Sequence, residues 1–210
     1  ALEGLICFGP DRGSEPTYVL LEDWIGEENT VHALSEDEAY AELTRLYLSG
    51  YGPAAPADQA AWSGLPLSKI RGAWQRLGGE LLEVETTIST AWMLNTQVAR
   101  LEELSTSTPI VRLLPRYDIY LLGYQKRELA QPARYAKRIN AGGGIVHPTV
   151  LVDGRVVGTW KSKRVKNQVV VTVEPFEQVA PEVYERIEAE VEDIGRFLGE
   201  EVRLEMRILS

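Results

Sequence analysis

The run Trp160-Lys161-Ser162-Lys163-Arg164-Val165-Lys166-Asn167 concentrates four cations in eight residues. No Asp or Glu occurs from Gly154 to Val173. Positive charges crowded on so short a segment repel one another. A row of phosphates relieves that repulsion and releases condensed counterions. Carried on a stiff hairpin, such charges can follow or enter a duplex groove. The bland alternative is a solvated turn whose Lys and Arg guard strand edges. A second cluster, Lys126-Arg127 with Arg134 and Lys137-Arg138, lies just upstream, and the two together point to nucleic acid. A third group, Lys69, Arg71 and Arg76, falls in a stretch from Leu67 to Gly79 that has no acid.

The net charge of −9 hides this polarity. Residues 1–108 hold 17 acidic and 6 basic side chains, residues 109–173 hold 3 and 12, and residues 174–210 hold 11 and 4. A basic middle between acidic flanks is a surface for an anionic partner or for a self-contact.

Other chemistry finds few residues to support it. The only histidines are His32 and His147, and no GxSxG, HExxH or CxxC occurs. Cys7 stands alone, so neither an internal disulfide nor a cysteine zinc site is expected, and it reads as a buried strand residue. Gly142-Gly143-Gly144 lacks the Lys-Ser/Thr of a phosphate loop and reads as a flexible connector. Asp118 reads as an anchor for a basic neighbour rather than a group approaching a reacting sugar. No catalytic residue, metal or cofactor is assigned.

The elements that must carry the cations follow from periodicity and punctuation. Leu5–Phe8 and Tyr18–Leu21 read as an N-terminal hairpin. Ser35 and Glu38 form a capping box for a helix with Ala39, Leu43, Leu46 and Tyr47 on one stripe. A short helix from Pro56 ends near Gly64. A third helix, Leu67 to Leu77, is stopped by Gly78-Gly79. Strands Leu81–Glu85 and Ser89–Leu94 follow. Three helices and a hairpin in this order make a winged helix-turn-helix, with Lys69, Arg71 and Arg76 on the helix that enters a groove. Gly72 weakens that helix as a rigid rod, and such units also serve as protein-packing modules. A linking helix from Thr96 to Leu104 leads to the break Ser105–Pro109. The rest reads as strands Ile110–Leu114, His147–Val152, Arg155–Lys161 and Gln168–Val173, a helix Pro181–Leu198 and a closing strand Val202–Leu209. Asp153-Gly154 supplies a tight hairpin turn.

Leu113-Leu114-Pro115-Arg116-Tyr117-Asp118-Ile119-Tyr120-Leu121-Leu122-Gly123-Tyr124 resembles the winged-helix family of bacterial crosslink-repair DNA glycosylases, the AlkZ/YcaQ-like proteins. Cys7–Pro10, Arg45–Tyr47 running to Tyr51–Ala54, Trp62–Leu65 and Thr149–Trp160 match the same pattern. The resemblance implies winged helices and a β-barrel-like unit around a DNA duplex. It also implies cleavage of the N-glycosidic bond of alkylated or crosslinked bases. The family's catalytic pair looks like Gln-x-Gln or Gln-x-Asp in an N-terminal winged helix, which should lie upstream of Ala1. No glutamine of this chain has Gln or Asp two residues later.

The expected fold is therefore α+β: a winged helix-turn-helix followed by a β-barrel-like unit with a C-terminal helix. The expected domains are 1–104 and 105–210. The expected partner is double-stranded DNA, gripped by Lys69, Arg71, Arg76, Lys126, Arg127, Lys161, Lys163, Arg164 and Lys166. A winged-helix domain of the same protein is a second expected partner. Two alternatives stand: a non-catalytic DNA-binding regulator, and a structural winged helix docking on that domain. No apolar run approaches the roughly 20 residues of a membrane helix. Ala1-Leu2-Glu3-Gly4 has neither a basic stretch nor a long apolar run, so it is not expected to act as a signal peptide. The expected place is the cytoplasm, at the nucleoid.

Overall fold

The computed structural model describes residues 4–26, 34–103 and 108–207. His32, Leu104, the Ser105–Ser107 part of the break and the last residues of the closing strand lie outside the described residues. The backbone parts into two compact units, Ala1–Ala39 and Tyr40–Ser210.

In the first unit β1 (Ile6–Arg12) pairs antiparallel with β2 (Glu15–Leu20). Phe8 faces Tyr18, and their rings stack at 5.0 Å. Cys7 lies in β1 as expected but is only half-buried, because a two-stranded ribbon covers one face poorly. The turn of helix α1 (Leu21–Ile25) follows. The capping box is present. Ser35 N donates to Glu38 Oε2 at 2.8 Å and Glu38 N donates to Ser35 Oγ at 3.4 Å, which starts α2 (Glu36–Tyr51).

In the second unit α2 packs Tyr47 and Leu48 against α3 (Pro56–Ser63) and α4 (Leu67–Leu77). Ile70 and Trp74 of α4 complete that core. Ala73 and Leu77 are buried with them, so the periodicity of the apolar residues turns the opposite face of α4 outward. Hairpin β3 (Leu81–Glu85) and β4 (Thr90–Leu94) then forms the wing, with Trp92 edge-on to Trp74 at 6.0 Å. Gln59, fully buried at the centre, accepts from the Trp74 indole at 2.6 Å and donates to Thr44 Oγ1 at 3.0 Å. A short α5 (Val98–Glu103) closes this part.

The remainder is a curled half-barrel sheet. Its five strands are β5 (Val111–Leu114), β8 (Thr149–Val152), β9 (Arg155–Val165), β10 (Gln168–Pro175) and β11 (Glu201–Met206), in the order β11-β10-β9-β8-β5. Between β5 and β8 lie α6 (Ile119–Leu122), α7 (Ala136–Ile139) and a small hairpin of β6 (Asn140–Gly142) and β7 (Ile145–Val146). Helix α8 (Pro181–Leu198) crosses over so that β11 runs parallel to β10. Valines 169, 171 and 173 bury one face of the sheet against Ile187 and Val191 of α8. Leu151 and Val156 bury the other face with Leu121, Ile139 and Val146.

Further local readings change. Of the α2 stripe expected at Ala39, Leu43, Leu46 and Tyr47 only Tyr47 is buried; Leu46 is exposed, and Ala41, Thr44 and Leu48 are buried with Tyr47 instead. Gly142-Gly143-Gly144 is the β6–β7 turn, with all three φ positive (88°, 57° and 79°), so it is a built hairpin rather than a connector. Asp118 caps α6, its Oδ1 accepting from Tyr120 N at 2.8 Å, and anchors no cation. β9 is longer than expected and runs through the cationic segment to Val165. Asp153-Gly154 does turn β8 into β9, with both φ positive.

Candidate nucleic-acid interface

The outward face of α4 carries Ser68, Lys69, Arg71, Gly72, Gln75 and Arg76, all exposed and none acidic. Lys69 Nζ sits 5.6 Å from the Tyr40 ring centre, a contact that steadies its stem without removing its charge. Arg71 borders a hollow of about 360 Å³ between α4 and the wing, beside Gln75, Glu83 and Trp92. A side chain at Gly72 would meet nothing within 4 Å, so the glycine leaves the middle of this face low rather than filling a packing need.

The basic hairpin is divided by its register. Lys161 faces Thr172 and Lys163 faces Val170, whereas Trp160 faces Val173 and Arg164 faces Val169. Side chains alternate across a strand. Lys161 and Lys163 therefore share one face, and Arg164 lies on the other, with the valines that pack on α8. There Arg164 makes an ion pair with Glu200, just past the end of α8. Lys161 is paired with Glu174 at 2.6 Å, but its side chain stays 61% exposed. An exposed pair of that kind is worth at most about 1 kcal/mol, so a phosphate can compete for the lysine. Lys166 sits at the tip, in the left-handed region at φ 56°. The four cations expected together at the hairpin tip are thus divided: Lys161 and Lys163 on one face of β9, Arg164 on the other, and Lys166 at the tip.

Lys126 is exposed and Arg127 half-buried, with Arg127 Nη1 donating to Asn140 Oδ1 at 3.3 Å. Both border a hollow of about 290 Å³ above Gln131 and Asn140. Arg134 is paired with Glu177 at 2.6 Å.

Sequence reasoning missed what lies beside the hairpin. A cleft of about 690 Å³ brings Lys161 together with Arg116, Lys137, Arg138 and His147, residues far apart in the chain. The scarcity of acids over 109–173 was the signal available; the convergence depends on how the segment between β5 and β8 folds back. Two tyrosines, Tyr47 buried and Tyr124 half-buried, fasten that segment to the winged part. Tyr47 donates to Gly123 O at 2.7 Å, and Tyr124 donates to Tyr51 O at 2.5 Å. Burial pushes both phenols up, that of Tyr124 to about 12. Among the described residues no three His, Cys, Asp or Glu gather to hold a metal, and no helix is long and apolar enough to cross a membrane.

Comparison with known proteins gives a consistent result. A sequence model of the family described as "DNA glycosylase AlkZ-like" matches residues 1–197. An "Interstrand DNA cross-link repair glycosylase" of Streptomyces sahachiroi is 32% identical over 215 residues, covering 100% of this chain and 56% of that protein. The solved structure of the Streptomyces sahachiroi DNA glycosylase AlkZ superposes with a TM-score of 0.80 at 30% identity, covering 98% of this chain and 55% of the other. The chain spans little more than half the length of the curated relative it matches.

Proposed function

The chain belongs to the AlkZ-like DNA glycosylase family, and from that premise we propose that it is the duplex-binding body of a repair glycosylase acting on alkylated or crosslinked bases. The observation that carries this reading is the segregation of charge. An acid-free helix face on α4 and a lysine-bearing sheet face stand in a chain whose net charge is −9. Lys69, Arg71 and Arg76 face the bases and phosphates of a groove. Lys161, Lys163 and Lys166 hold the backbone, and Lys126 and Arg127 extend that contact. Arg164 is assigned to pinning the hairpin on Glu200.

Base excision needs a group that positions water, stabilisation of an oxocarbenium-like sugar and exposure of the base. A cationic scaffold supplies binding and deformation of the duplex. In this reading the water-positioning pair, Gln-x-Gln or Gln-x-Asp, comes from a winged-helix partner domain of the same protein. The site of action is then the nucleoid, in the cytoplasm.

Fluorescence anisotropy with a short duplex tests the binding. Log affinity is expected to fall linearly with log salt, with a slope of about −0.9 for each phosphate neutralised. Affinity indifferent to salt would overturn the interface. Incubating the full-length protein with alkylated duplex tests the chemistry, and failure to form abasic sites would leave a DNA-binding protein without glycosylase activity.

A further inference from the structure

The cleft beside β9 has a strongly positive lining. Arg116, Lys137, Arg138 and Lys161 line it with a single carboxylate, Glu174, which is already engaged by Lys161. Arg116, Lys137 and Arg138 make no ion pair among the described residues. They come from two elements. Arg116 stands in the turn after β5, which Tyr117 bends through a left-handed φ of 60° and Asp118 locks by capping α6. Lys137 and Arg138 project from α7. The Arg138 guanidinium lies 4.5 Å from the Phe176 ring centre, and its Nη2 is buried without a hydrogen-bond partner. Stacking on the ring holds the guanidinium in one place, so the part of Arg138 that lines the cleft is presented to an anion at a fixed position. The opposite wall is β9 beyond Thr159, where its pairing with β8 has ended.

We propose that this cleft seats one phosphodiester of the bound strand, held by Arg116, Lys137 and Arg138 and flanked by Lys161. The inference rests on the duplex-binding reading above and adds a discrete anchor to it. Mobile lysines on a hairpin grip the backbone at no fixed position. Three cations converging from a turn and a helix hold one phosphate and set the register of the duplex.

Methylphosphonate scanning tests the anchor on the full chain. Each linkage of a 20-base-pair duplex, a size chosen to be about two helical turns, is made neutral in turn, and binding is read by anisotropy. One linkage is expected to cost the wild type about tenfold, as loss of a charge-assisted hydrogen bond would. The same linkage is expected to cost Arg116→Gln/Lys137→Gln nothing, because the contact is already gone. Both residues are exposed, so the variant is expected to melt with the wild type. Arg186→Gln on α8 removes the same kind of charge elsewhere and is expected to keep the position-specific loss. No salt-dependent binding by the wild type would defeat the duplex reading itself. Salt-dependent binding with no sensitive linkage, or one equally sensitive in the cleft variant, would overturn the anchor alone. Inorganic phosphate that displaces the duplex from the wild type but not from the cleft variant, at fixed ionic strength, would make the cleft a free-anion site and overturn it too.

Discussion

Gln59 is a polar side chain on a helix whose neighbours are mostly small, and both ends of its amide are hydrogen-bonded. Trp74 Nε1 donates to its Oε1 at 2.6 Å, its Nε2 donates to Thr44 Oγ1 at 3.0 Å, and the Thr44 hydroxyl donates on to Tyr40 O at 2.8 Å. Truncation strands the indole N–H in a dry site and opens a cavity. Gln59→Ala is expected to lower stability by about 3 kcal/mol in urea titration. A loss near zero would mean that water enters and replaces the amide. Tyr124, half-buried beside the buried Tyr47, has a fixed sign with pH. The folded phenol is raised from 10.0 to about 12 by desolvation first and by neighbouring negative groups second. Stability from the neutral hydroxyl is therefore complete below pH 10.0 and is lost as pH climbs through about 12. Tyr124→Phe is expected to cost about 1 kcal/mol at neutral pH, by leaving Tyr51 O unmet. In return the variant loses less stability than the wild type between pH 10.0 and about 12. Parallel urea midpoints across that range would contradict the assignment.

Helix α4 shows how much a segment reveals before folding. Its bounds, Leu67–Leu77, follow from Pro66 and from Gly78-Gly79, and its buried stripe follows from the spacing of Ile70, Ala73, Trp74 and Leu77. Because nothing lies within 4 Å of the position, Gly72→Ala is expected to stabilise the chain by about 0.8 kcal/mol in thermal or urea unfolding. If α4 enters a groove closely there, duplex affinity falls at the same time. Strand β9 shows the opposite case. Ser162–Asn167 reads as the tip between two strands because charge dominates its composition. Pairing with Gln168–Val171 nevertheless draws Ser162–Val165 into the ladder, tertiary context overriding local preference. Which cation faces which side is set by the bulge between Val150 and Leu151, since a shift of one residue exchanges the faces. The partners Glu174 and Glu200 come from β10 and from the end of α8, so no local spacing announces them. Lys163→Glu is accordingly expected to weaken duplex binding more than Arg164→Glu, and to lower the salt slope by about 0.9. Arg164→Glu instead places like charges beside Glu200 and should act mainly on stability. Equal effects on binding would mean that the hairpin twists open on DNA.

The winged part and the half-barrel are fastened at one joint, and that joint decides whether their cations act together. Gly123 lies directly under the Tyr51 ring, where a Cβ would overlap it. Around it run the Tyr47 and Tyr124 hydrogen bonds, and Gln125 N donates to Asp58 Oδ1 at 3.0 Å. Two cationic regions within one compact unit bind a duplex with a high effective concentration of the second contact once the first is made. That advantage disappears when the geometry between them loosens. Gly123→Ala changes no charge. It forces the ring or the backbone aside, and overpacking of this kind costs about 1–3 kcal/mol. If α4 and the lysine face of β9 grip one duplex at once, the variant should bind more weakly and with a shallower dependence on salt, because fewer phosphates are engaged together. A variant that melts lower yet keeps the wild-type affinity and salt slope would show that one region alone carries the DNA.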